Sequence, residues 1–231
     1  MAHIHIPDGV LPYWLWAAGV ALLLPFLTLA ILKVRKEQKR SVIAAAMTAF
    51  MLLIFSIGIF EFHLNMTPLA GMVLGPYWSL LSVTVLNLFL SLTGHGGVTI
   101  IGLNALINWF EALVGWYGFG LARKAFKDET KLSLSAGLVT FTALLLSFGL
   151  FIGVVYSSNI NPGLFDHHHA EEEHHEEEHH EEIHHHAPID MRTFVSISAV
   201  MTLIGSVIEA IIATLMVGYI IKVKPEILYG I

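Results

Sequence analysis

Residues 64–92 read LNMTPLAGMVLGPYWSLLSVTVLNLFLSL, an apolar run without a single charged side chain. A run of that length is either one long membrane helix or two pieces, and the choice sets the topology of the whole chain. Gly75-Pro76 lies near its middle and is a turn signal. Pro76 has no amide hydrogen and disfavours helix in the residue before it. The run therefore divides into a short helix over about 65–74 and a second over about 77–92. About eleven residues at 1.5 Å rise cannot cross a hydrocarbon core of roughly 30 Å. The short piece is expected to be buried among its neighbours, where protein rather than lipid satisfies its ends.

The rest of the chain has the same character. Of its 231 residues, 55% are hydrophobic and 13% charged, which excludes an ordinary soluble globule. Further apolar stretches cover about 11–32, 41–62, 98–121, 133–157 and 192–221. Basic residues gather in three places: Lys33 to Arg40, Arg123 to Lys131, and Lys222 with Lys224; only Arg192 stands apart. The positive-inside rule puts all three clusters in the cytoplasm. Passing from Arg40 to Arg123 and ending on the same side needs an even number of crossings, so 64–92 must count twice. The reading is an all-α polytopic membrane protein in the cell membrane, a single domain over 1–231. It has seven transmembrane helices, one of them short, with the N-terminus outside and the C-terminus inside. The connections at 62–64, 93–97 and 158–191 are then extracytoplasmic, and so is every one of the fourteen histidines.

That sidedness points to metal. Met1-Ala2-His3 offers an α-amine, an amide and an imidazole that can close fused chelate rings, and Ala2-His3 does the same once Met1 is removed. Such all-nitrogen, near-planar donor sets suit Ni(II) and Cu(II), with Co(II) less favoured by geometry. His5 adds an imidazole, and Pro7-Asp8-Gly9 turns the chain back toward the first helix. The plainer reading of His3 and His5 is an interfacial N-terminus with two incidental histidines. His63, in Glu61-Phe62-His63-Leu64-Asn65, ends the second apolar stretch and is either a helix-end residue or a ligand. His95, in Gly94-His95-Gly96-Gly97, is a turn residue or a neighbour of the ligands. Ten histidines between His167 and His186 alternate with eight glutamates. This low-complexity stretch within 158–191 offers many weak, exchangeable sites that fade as imidazoles protonate. It reads as an accessory that raises local metal concentration, or as a solvated spacer.

Acids within the membrane segments are functional candidates by default, which singles out Glu61, Glu111 and Glu209. Asn87, Asn104 and Asn108 can serve as interhelical hydrogen-bond glue, with Asn104 and Asn108 expected to support the site. Ala45 with Ala49, and Gly149 with Gly153, are small residues four apart that either pack inside the bundle or form a docking face. The absence of cysteine excludes thiolate metal sites. No basic nucleic-acid surface emerges, since residues outside 166–186 carry twelve basic and nine acidic groups. The N-terminus has no positive n-region, so no removable signal peptide is expected. No phosphate loop or nucleophile–base pair is found, so the chain is expected to be a subunit that does not itself hydrolyse ATP.

His5-Ile6-Pro7-Asp8-Gly9 before a first helix resembles the N-terminal signature of the CbiM/NikM family, the substrate-binding (S) components of energy-coupling-factor transporters for cobalt and nickel. His63 precedes Gly75-Pro76-Tyr77-Trp78 by twelve residues, Gly94-His95-Gly96-Gly97 is similar to the family's Gly-Asp-Gly-Gly, and Gly102-Leu103-Asn104 to its Gly-x-Asn. The resemblance implies a square-planar Co(II) or Ni(II) site built from the N-terminal amine, the next residue's amide and imidazole, and His63. It also implies a coupling transmembrane subunit, a pair of ATPase subunits and often a small accessory membrane subunit, with cobalt delivered to cobalamin synthesis. Family members usually begin Met-His-Ile, whereas here three residues and Ile4 precede His5. Loss of Met1 would leave Ala2-His3, and initiation at position 4 would make His5 the second residue. A stand-alone divalent-metal/proton antiporter using Glu111 and Glu209 is the competing reading.

Overall fold

The computed structural model describes residues 11–56, 63–94, 97–158 and 191–229. Every regular element among them is helical: α1 (Tyr13–Val34), α2 (Ser41–Ser56), α3 (Thr67–Leu92), α4 (Ile101–Ala125), α5 (Glu129–Ser157), α6 (Met191–Val223) and α7 (Glu226–Tyr229). A 3₁₀ turn over Gln38–Arg40 joins α1 to α2. Local chemistry accounts for several boundaries. Pro12, with φ fixed near −61°, precedes α1 and accepts the Leu15 amide. The Asp128 carboxylate caps α5 by accepting the Lys131 N–H at 2.9 Å.

Four helices are long and apolar enough to cross a membrane: α1, α3, α5 and the Val195–Val223 part of α6. Their outward faces carry residues such as Leu22, Leu24, Leu138, Leu146 and Leu215, as contact with lipid requires. The α4 helix has 25 residues but places Asn104, Asn108 and Glu111 in the interior. α2 is a shorter apolar helix of 16 residues.

The division of 64–92 falls where expected. Gly75 leaves the helical region with φ 75° and ψ 179°, a conformation that a side chain would penalise, and Pro76 follows it. Counting the two halves of α3 separately, α1 to α6 supply the seven expected membrane segments. Every residue from Thr67 to Gly75 is buried. This half lies across α4 rather than along it. Asn65 reaches Glu111, Gly71 abuts Ala112, Pro68 abuts Gly115, and the Pro76 carbonyl accepts Trp109 Nε1–H at 2.8 Å. The twelve residues 65–76 thus pass over the same two turns at the middle of α4.

The contacts that fix this crossing are backbone to backbone. A Cβ built on Gly71 would fall inside the Ala112 carbonyl, and one on Gly115 inside the Pro68 carbonyl. Small residues at such points let helices approach in lipid, where no hydrophobic force drives them together. The spaced pairs anticipated from sequence do not play this part. Ala45 and Ala49 are exposed, and a Cβ on Gly149 or Gly153 would meet nothing within 4 Å. Asn87 likewise donates to Val83 O of its own helix at 2.7 Å and glues no helices together through that bond.

The short α7 was not anticipated. It folds back so that Leu228 is fully buried, and Arg123 at the end of α4 donates to the Leu228 carbonyl at 2.9 Å. Two of the basic clusters therefore share one end of the bundle, as the charge grouping requires. Arg123→Leu is expected to loosen this end, since a hydrogen bond to a charged group contributes about 1.5–3 kcal/mol. Carboxypeptidase digestion of the detergent-solubilised protein should then trim the C-terminus faster than in wild type. An unchanged rate would mean that the Arg123 contact does not hold α7.

Candidate metal site

Of the predicted metal ligands, His63 is the one that the described residues contain. Met1, Ala2, His3 and His5 lie outside them, as do His95, Glu61 and the histidines of 167–186. Among the described residues no group of three or more His, Cys, Asp or Glu side chains is placed to hold a metal ion.

His63 is half-buried and stacks on the Phe55 ring, with centroids 4.4 Å apart and planes 13° from parallel. Its Nδ1 is 2.9 Å from the Phe55 carbonyl oxygen. A carbonyl can only accept, so Nδ1 carries the proton and the lone pair of the neutral ring is on Nε2. Fixing tautomer and ring plane through a backbone carbonyl is the usual outer support of a metal-ligating histidine. The connection 62–64 was expected as an outer loop. Its described part instead leads straight into the interior: Leu64, Asn65 and Met66 are 4%, 1% and 0% exposed.

The reason is a buried polar cluster built by four elements. Glu209, near the middle of α6, accepts the Asn65 amide on one carboxylate oxygen and the Met66 amide on the other, both at 3.1 Å. Glu111, near the middle of α4, accepts Asn65 Nδ2–H at 2.9 Å. Asn65 Oδ1 in turn accepts the Thr67 amide at 3.0 Å, an Asx turn that starts α3. Ser147 of α5 and Thr67 lie beside the Glu111 carboxyl. Both glutamates are fully buried, at 1% and 0% exposure. Burial of such groups is sustainable only when their oxygens are occupied by donors, which is what these amides provide.

Sequence reading raised both glutamates but missed their partner. Asn65-Met66-Thr67-Pro68 held the signal: an Asn two residues before a Thr-Pro helix start is a turn former, placed here between apolar runs. Asn108 and Asn104, expected to support the site, are buried one and two turns before Glu111 on the same helix.

An all-helical bundle with outward apolar faces, a half-helix laid across its interior and a histidine leading into buried carboxylates defines a multi-pass membrane protein with a polar heart. The chain belongs to the CbiM family, described as the cobalt uptake substrate-specific transmembrane region, whose model matches residues 5–227. The cobalt transport protein CbiM of Listeria seeligeri is 29% identical over 167 residues, covering 66% of this chain and 67% of that protein. The putative cobalt transport protein CbiM of Archaeoglobus fulgidus is 26% identical over 242 residues, covering 97% and 98%. The fold is shared with a crystal structure of a truncated transition metal transporter, at a TM-score of 0.72 and 21% identity, over 95% of this chain and 99% of that one.

Proposed function

We propose that this chain is the substrate-binding component of an ATP-driven uptake transporter for Co(II) or Ni(II). In this reading the ion is captured outside by an N-terminal chelate of amine, amide and imidazole, from Met1 or Ala2 with His3, or with His5 where translation begins at position 4. His63 Nε2 completes the donor set, and His95 is a further candidate ligand. The coupling transmembrane subunit, the ATPase pair and the small accessory subunit supply the energy and the inward release, and the cobalt serves cobalamin synthesis. The single observation that carries the reading is the state of His63: Nδ1 committed to Phe55 O, the ring held flat on Phe55, and the lone pair on Nε2.

The antiporter reading assigns proton exchange to Glu111 and Glu209. Their oxygens are engaged as acceptors for the 65–66 segment, which favours a supporting role over a shuttling one. Metal transport by the purified chain alone in proteoliposomes would reverse that preference.

The test is Ni(II) titration of the purified full chain, of His63→Ala, and of a chain lacking residues 166–186. The His63→Ala variant is expected to lose more than about a hundredfold in affinity, beyond the 10–100-fold that loss of a ligand's outer partner causes. The loop deletion should retain one tight site with a planar Ni(II) spectrum. Tight binding that leaves with the loop and ignores His63 would refute the assignment.

A further inference from the structure

Asn65 and Met66 follow His63 by two and three residues, and theirs are the amides that Glu209 bridges. Met66 has φ 55° and ψ 21°, and among the described residues no other non-glycine residue has positive φ. The left-handed region is disfavoured for an L-residue, so Met66 persists there only where its surroundings over-determine it. Here they do. Glu209 holds the Met66 amide, the Ala70 amide holds the Met66 carbonyl at 3.1 Å, and the Met66 side chain is fully buried. Two successive amides converge on the two oxygens of one carboxyl group at the start of a helix. Upstream, the His63 ring is tied to Phe55 O of α2. Only Leu64 separates the tie to α2 from the tie to α6.

We infer that Glu209 is a positioning residue for the metal ligand: by bridging the Asn65 and Met66 amides from α6, it sets where the His63 imidazole stands. The affinity and coordination geometry of the site follow from that placement. The inference rests on the reading of His63 as a ligand. Glu209→Gln tests it without opening a cavity. The amide keeps one acceptor oxygen but turns an NH₂ toward the other backbone N–H, donor against donor. Glu209→Asp keeps both carboxyl oxygens on a stem one methylene shorter.

The experiment titrates the full chain in detergent with Ni(II) alone and reads affinity, absorption bands and thermal stability of the apo protein. Glu209→Gln is expected to bind one Ni(II) about 10–100-fold more weakly, with displaced bands, as loss of an outer partner does. Glu209→Asp should fall between it and wild type, and carries the test if the Gln variant does not fold. Wild-type affinity and bands in the folded fraction, with only stability lowered, would assign Glu209 a purely structural role and overturn the inference. Tight Ni(II) binding by His63→Ala is a separate failure, which removes the ligand reading and this inference with it.

Discussion

Replacing Gly71 by leucine is expected to prevent the bundle from assembling, so that no monodisperse folded protein is recovered in detergent. The first carbon of the new side chain would already lie on the Ala112 carbonyl, with Ala112 Cα only 2.7 Å away. These are backbone atoms of a neighbouring helix and have no rotamer to change. The same crossing is locked reciprocally at Gly115, where a Cβ would be 3.0 Å from Pro68 Cα and closer still to its carbonyl. Overpacking an interior typically costs about 1–3 kcal/mol and sometimes more. A leucine here must move one helix off the other, so the upper end applies, and Gly71→Ala, which adds the same first carbon, is expected to lower the melting temperature sharply as well. Gly149→Leu is the control: it faces open space, and its melting should match wild type. If Gly71→Leu melted with the control, α3 could not cross α4 at this distance.

Asn65→Leu is expected to cost about 2–6 kcal/mol, because two buried groups each lose a hydrogen-bond partner at about 1–3 kcal/mol apiece. The volume is nearly conserved, so the loss is electrostatic and not steric. Glu111 loses the Nδ2–H donor and the Thr67 amide loses its Oδ1 acceptor, both where water does not compensate. Glu111→Gln removes the carboxyl group but keeps the hydrogen bond, because its amide oxygen can still accept from Asn65. That variant should lie within about 1 kcal/mol of wild type, the size of one ordinary hydrogen bond. Unfolding of both variants in detergent, followed by circular dichroism, gives the comparison. Equal stability of Asn65→Leu and wild type would mean that the cluster does not hold the 65–67 turn.

The two variants mark the boundary of what the sequence revealed. The break at Gly75-Pro76 was legible because its cause is local: a glycine free to take φ 75° and a proline that cannot continue the ladder. The basic ends of α1, α4 and α6 were legible because charge avoids the bilayer interior. The depth of the 63–66 segment was not, since it depends on Glu209, 144 residues from Asn65. Small-residue spacing left its two alternatives open for a related reason. A four-residue interval shows that Ala45 and Ala49 share a face, but not whether a helix stands opposite. Gly71 and Gly115 face backbone only because α3 lies across α4. For the site, His63 was named from its place after an apolar stretch and from resemblance, while its tie to Phe55 needed the return of the chain past α2.

The half-helix at Thr67–Gly75 also imposes an order of events during synthesis. Its starting amides are satisfied by a carboxylate that leaves the ribosome some 144 residues later. At about 5–20 residues per second, that delay is on the order of ten seconds. Until α6 arrives, Asn65 and Met66 lack the acceptor they have in the finished protein, and the left-handed turn at Met66 is missing one of its holds. His63 therefore takes its place among the last events of assembly, after α6 has entered. A nascent chain caught before that point would carry every residue of the crossbar and still have no formed site.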